Sequence, residues 1–85
     1  MEQKLDVSDL EPPEPMERIL EAIETLQEGD YLYVTHRREP HMIYPILKNM
    51  GIDWATHPGG PAGYEFFLWR KGDEKAQAEI PSTRS

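Results

Sequence analysis

Three histidines, His36, His41 and His57, are the side chains in this 85-residue chain best suited to metal binding or proton transfer. Histidine and carboxylate ligands hold zinc, copper or iron. Histidines at these three positions follow no short ligand spacing, so they form a candidate metal set only if the fold gathers them. No cofactor is expected from motifs; a transition metal is the one that this set would take. The competing reading is of polar residues exposed at strand ends. A second candidate set is Arg37, Arg38, Glu39 and His41, with Glu11 and Glu14 near an earlier helix start. Two guanidinium groups beside free helix N–H groups could hold a phosphate or a carboxylate. Against this, Glu39 and neighbouring acids could simply pair with the arginines at the surface.

Catalysis finds little to work with. The chain has no cysteine, which excludes disulfides, thiol catalysis, persulfide carriage and zinc–thiolate sites. Ser8 is the only serine ahead of the polar C-terminal stretch and has no motif around it. Glu11 and Glu14 suit a helix start for reasons of the helix dipole alone. Without a nucleophile–base pair, the chain is not expected to be an enzyme.

The elements that must position these residues follow from pattern. Lys4 to Val7 suits a short first strand. The segment Asp9-Leu10-Glu11-Pro12-Pro13-Glu14-Pro15 forbids a helix before Pro15 but suits a first helical turn, where no backbone N–H is needed. Met16, Ile19, Leu20, Ile23 and Leu26 then recur at helical spacing, with Glu17, Arg18, Glu21 and Glu24 between them. Glu28-Gly29-Asp30 turns the chain. Tyr31 to Thr35 is a β-branched and aromatic strand. After a polar loop to Pro40, Met42, Ile43, Ile46, Leu47 and Met50 fit one helix face, with Pro45 in its first turn and Gly51 at its end. Ile52 to His57 reads as a third strand, Pro58 to Gly63 as a turn, and Tyr64 to Trp69 as a fourth strand that is apolar on both faces. Residues 1–71 are expected to form a single domain, with 72–85 a flexible polar tail.

The order β-α-β-α-β-β predicts an α/β (α+β) two-layer sandwich, a four-stranded mixed sheet with two helices on one face. Both β-α-β crossovers should be right-handed with parallel strands, and the last two strands antiparallel. The doubly apolar fourth strand suits a central position. This topology brings Asp9–Glu14, His36–His41 and His57–Gly60 to one edge of the sheet, where open α/β sheets tend to bind ligands. Strand alternation also leaves Tyr31, Tyr33, Phe67 and Trp69 on the face without helices. An uncovered aromatic face marks a protein partner or a homodimer, unless it is a tolerated partly exposed patch.

The charge narrows the partners. Residues 1–30 carry a net charge of −8 and residues 31–70 a net charge of +1, within a total of −7. Nucleic acid is an unlikely partner for an acidic chain, because a basic footprint supplies most of that affinity. The acidic helix could select a basic partner, but a solvated surface that serves solubility is the favoured reading. No apolar run approaches the ~20 residues of a membrane span, and the N-terminus does not follow a basic stretch with an apolar one. A cytoplasmic protein is expected.

A proline-rich opening to the first helix resembles the TusA/SirA-like sulfur-carrier fold, where a Cys-Pro-x-Pro motif stands at that point. Pro13-Glu14-Pro15 matches the Pro-x-Pro, and Pro12 stands in place of the sulfur-carrying cysteine. The chain more closely resembles a bacterial family of uncharacterised domains of that fold. The resemblance spans about residues 4–71 and rests on Arg38-Glu39-Pro40, Tyr44-Pro45, Gly51, Gly60-Pro61 and Trp69-Arg70. It implies the fold and, through domains found beside hemerythrin-like and cupin modules, a metal or redox context. Many members place a histidine where Arg38 stands here. The leading functional expectation is a non-catalytic protein-binding or regulatory module. The alternative is a small-ligand or metal site at the strand C-terminal edge. A sulfur-relay accessory role comes third, since relay needs a thiol.

Overall fold

The computed structural model describes residues 1–60 and 62–80. In chain order it contains β1 (Glu2–Asp6), α1 (Glu14–Glu24), β2 (Tyr31–His36), a 3₁₀ turn (His41–Ile43), α2 (Tyr44–Asn49), β3 (Ile52–Gly59), β4 (Gly63–Arg70) and α3 (Glu74–Glu79). The sheet runs β1-β2-β4-β3. β1 lies parallel to β2, and β4 lies antiparallel to both β2 and β3. β4 is therefore central, as its two-sided apolarity predicts. β2 and β3 point the same way, as a crossover through α2 requires, but β4 is inserted between them. The result is a two-layer α/β sandwich.

α1 opens with Pro15 in its first turn, where a missing N–H costs nothing. It buries Pro15, Ile19 and Ile23 and leaves its glutamates to solvent. It stops at Glu24, two residues short of the expected face, yet Leu26 stays buried just beyond it. Gly29, at φ +87°, reverses the chain into β2, a conformation in which a Cβ would be strained.

α2 departs from expectation. A 3₁₀ turn precedes a helix of only 6 residues, so the apolar positions do not share one face. Ile43 and Leu47 are buried on the sheet, whereas Met42 is 78% exposed and Ile46 and Met50 lie at the surface. The main core gathers Ile19, Ile23, Ile43 and Leu47 from the helix side onto Leu32, Val34, Phe66 and Leu68 of the sheet.

The opposite face corrects two expectations. The stretch from Lys71 was expected to be a flexible tail, but residues 74–79 form α3, and Ala76 has no exposed surface. Residues 81–85 lie outside the described residues. The aromatic set was expected to form an open partner surface. Instead Tyr31, Phe67 and Trp69 are buried with Ala76 in a second core, and Ile80 packs against its edge. Only Tyr33 remains half-buried. The cause is local: Gly72, at φ +87°, turns the chain back, and Asp73 Oδ1 caps α3 by accepting from the Ala76 N–H at 3.1 Å. Asp73 Oδ2 also accepts from the Gly29 N–H at 2.8 Å, which ties α3 to the turn before β2. These donors hold the Asp73 carboxyl below its usual range. Tyr31, through burial, and Tyr33, through its hydrogen bond to Glu65, are both pushed up to about 12. Among the described residues, no helix is long and apolar enough to cross a membrane.

Close packing at Ala76 makes a prediction. Ala76→Arg should lower stability in a urea melt by about 1–3 kcal/mol, because the core has no room for the longer chain. Ala78→Arg, on the exposed side of the same helix, should stay within about 0.5 kcal/mol of the parent. Equal effects would mean that α3 does not cover the aromatic face.

Candidate functional site: a cleft at the end of β2

β2 ends at His36, and the chain loops out before the 3₁₀ turn brings it back towards the start of α1. Between the two lies a cleft of about 300 Å³. Pro12, Pro13, Pro15 and Met16 wall it on the α1 side. Pro40, Met42 and Ile43 close the other side, and His36, Arg38, Glu39 and His41 supply its polar groups. Proline fixes φ and has no N–H, so it presents a stiff apolar wall at little entropic cost.

His36 is the buried polar member, at 8% exposure, with its ring edge-on to Phe66. Its Nδ1 accepts the Arg37 N–H at 2.8 Å. The neutral ring therefore carries its proton on Nε2 and offers a donor there. Burial, and secondarily the charges of Arg37 and Arg38, push its pKa below the ordinary histidine value. It is neutral at neutral pH.

The expected pairing of Glu39 with the arginines does not occur. Glu39 Oε2 accepts from the Tyr44 hydroxyl at 3.0 Å, and its Oε1 lies 3.6 Å from His41 Nε2. Tyr44 also hydrogen-bonds Thr56 at 2.8 Å and stacks on Trp54 with ring centroids 5.1 Å apart. Glu39 is thus drawn towards α2. Among the described residues, Arg37 and Arg38 have no carboxylate in ion-pair range.

Free helix N–H groups, the other half of the expected anion site, come down among the described residues to two on lining residues, Met16 in the first turn of α1 and Met42 in the 3₁₀ turn. Pro12, Pro13 and Pro15 have none, and the Glu14 N–H is given to Glu11 O at 2.9 Å. At the 3₁₀ turn, the His41 and Ile43 N–H groups bond Glu39 O and Pro40 O, both at 3.0 Å. Anion recognition here falls mainly to side chains, with the Met16 and Met42 N–H groups as the contribution of the helical turns.

The candidates separate as follows. His36, Arg38, Glu39 and His41 share the cleft, with the His41 ring largely exposed at its rim. Arg37 contributes its backbone N–H to His36 but does not line the cleft. Glu11 and Glu14 do not line it either, and Glu14 pairs with Arg18 at 3.4 Å. His57 does not join the other two histidines. It pairs with Glu65 in register and sits edge-on to Phe67, on the α3 face of the sheet, whereas His36 is on the helix face. Among the described residues, no group of three His, Asp or Glu side chains is placed to hold a metal ion.

The pattern of the DUF2249 family, described as an uncharacterised conserved protein, matches residues 4–70. The chain belongs to that family. The DUF2249 match runs from β1 through β4 and ends before α3, so it contains the whole cleft. No curated protein and no solved structure matches the chain.

Sequence reasoning missed the apolar walls. Pro12, Pro15, Met16, Pro40 and Met42 carry no chemistry of their own. Their signal was positional: two proline-containing segments each follow one of two parallel strands.

The buried neutral His36 predicts a pH dependence. Its folded pKa lies below the unfolded value of about 6.5. As pH falls below that value, the unfolded chain takes up the proton first, so stability declines until the folded pKa is reached. Urea melts between pH 7 and pH 5 should show this loss, and His36→Gln should reduce its slope. An unchanged slope in the variant would remove His36 as the source.

Proposed function

We propose that this DUF2249 chain is a non-catalytic binding module that seats a small ligand in the cleft at the end of β2. The observation that carries the reading is the composition of the cleft: apolar proline and methionine walls around a buried neutral His36 and an Arg38 with no carboxylate partner among the described residues. Small-molecule sites have this make-up, mostly apolar with a few placed polar groups, and span roughly 300–1,000 Å³. A cleft of about 300 Å³ is at the small end of that range. We read the fold as TusA-like. On that reading the proline at position 12 leaves the cleft no thiol, so its ligand is held without a covalent bond. The non-catalytic part of the reading rests on the Ser8 hydroxyl, which donates to Asp6 Oδ1 at 2.6 Å with no histidine hydrogen-bonded to it among the described residues. We read the module as cytoplasmic and needing no cofactor.

A second reading, a protein partner, has support at one place. Met42 of the 3₁₀ turn, Ile46 of α2 and Met50 just after it are exposed apolar side chains at four-residue spacing. The sheet face first expected to serve that role is covered by α3.

The test is an NMR titration of the ¹⁵N-labelled full chain with soluble acidic, basic and neutral fragments, and separately with Zn²⁺. Saturable shifts at Met16, His36, Arg38 and Ile43 are expected with at least one fragment. Met42→Asp, at an exposed position, should weaken that binding severalfold without unfolding the chain. No saturable response from any fragment at millimolar concentration would overturn the cleft reading.

A further inference from the structure

The cleft's donors restrict what it can hold. Arg38 supplies a planar fork of N–H groups that matches two carboxylate oxygens side by side. His36 adds one ring donor, because its Nδ1 is already taken by the Arg37 N–H. The backbone of the helical turns adds at most two donors: the prolines have no N–H, the N–H groups of Glu14, His41 and Ile43 are satisfied within the chain, and there only those of the lining residues Met16 and Met42 have no acceptor among the described residues. A phosphate dianion would bring a second negative charge against the lining carboxylate Glu39 and has no hydrocarbon to set against the apolar walls, so it fits this cleft less well than a monoanion with an apolar body. A cationic ligand fares worse. The Glu39 oxygens are engaged by Tyr44 and His41, and both arginines stand by without a carboxylate in range among the described residues. The walls want hydrocarbon: Pro12, Pro15, Met16, Met42 and Ile43 offer nothing polar to a ligand body.

We propose that the ligand is a small apolar monocarboxylate, its carboxylate on Arg38 within reach of the His36 ring and its hydrocarbon body against the proline and methionine walls. This rests on the cleft being the binding site. Two sources present the same chemistry, a free carboxylic acid and the C-terminus of a peptide ending in an apolar residue.

The experiment uses the ¹⁵N-labelled full chain and four probes: hexanoate, hexanamide, inorganic phosphate, and a tetrapeptide ending in leucine with either a free or an amidated C-terminus. Hexanoate should give saturable shifts at Met16, Arg38 and Ile43 and raise the titration point of the His36 ring. Hexanamide should bind at least about tenfold more weakly, the scale of one lost hydrogen bond to a charged group. Arg38→Gln, at an exposed position, should cost hexanoate a similar factor and hexanamide, which carries no charge, distinctly less. Tighter binding of the free-acid peptide than of hexanoate, lost on amidation, would assign the carboxylate to a peptide end; the reverse order would assign it to a free acid. Equal binding of hexanoate and hexanamide, or preference for phosphate, would overturn the carboxylate inference and leave the cleft as the site. No response at the cleft to any probe would overturn both.

Discussion

Phe66, Phe67, Leu68 and Trp69 follow one another along β4, and all four are buried. Successive residues of a strand point to opposite faces, so such a run obliges the protein to cover both sides of its sheet. Phe66 and Leu68 meet α1 and the 3₁₀–α2 segment, while Phe67 and Trp69 need a cover of their own. The second cover is α3, short and low in apolar residues, held by one small buried alanine and one capping aspartate. Placing β4 at the centre spends its apolar surface where neighbours flank it on both edges.

That central placement also decides where chemistry can occur. With β4 between β2 and β3, the end of β3 stands two strands away from the end of β2, and its histidine projects to the other face. What remains near the end of β2 is the opening of α1 and the segment from Arg38 to Ile43. The first carries Pro12, Pro13 and Pro15 and the second Pro40, so the cleft between them has walls fixed in part by covalent geometry as well as by packing. Tyr44 completes the arrangement. By donating its hydroxyl to Glu39 and stacking on Trp54, it draws the adjacent carboxylate away from the arginines.

Much of this was readable in the residues. The strands, α1 and the central β4 follow from alternation and helical period, which report burial directly. α3 was not readable, because Lys71–Ile80 holds few apolar residues, and it is held by tertiary contacts: Ala76 in the second core, Asp73 on the Gly29 N–H, and Glu79 on the N-terminal amine at 2.9 Å. The α2 face was misread because the 3₁₀ turn changes the angular step partway along the stretch. At the site, Arg38 and His41 were legible from type and place. The fate of Glu39 was not, since its partner Tyr44 lies five residues on, and nothing in the spacing distinguishes it from the adjacent arginines. The histidine grouping failed for a simpler reason: sequence places residues on strand ends, and only register and strand order tell which face they take.

The two tryptophans divide between the layers. Trp54 lies flat on Tyr44 on the helix side, beside the elements that line the cleft. Trp69 lies in the α3 core, with its indole N–H buried and without an acceptor among the described residues. An indole without a hydrogen bond in an apolar pocket and an indole stacked on a phenol sit in different electronic surroundings. The molecule thus carries a built-in pair of optical probes, one for each side of its sheet, with no label required to tell which side has loosened.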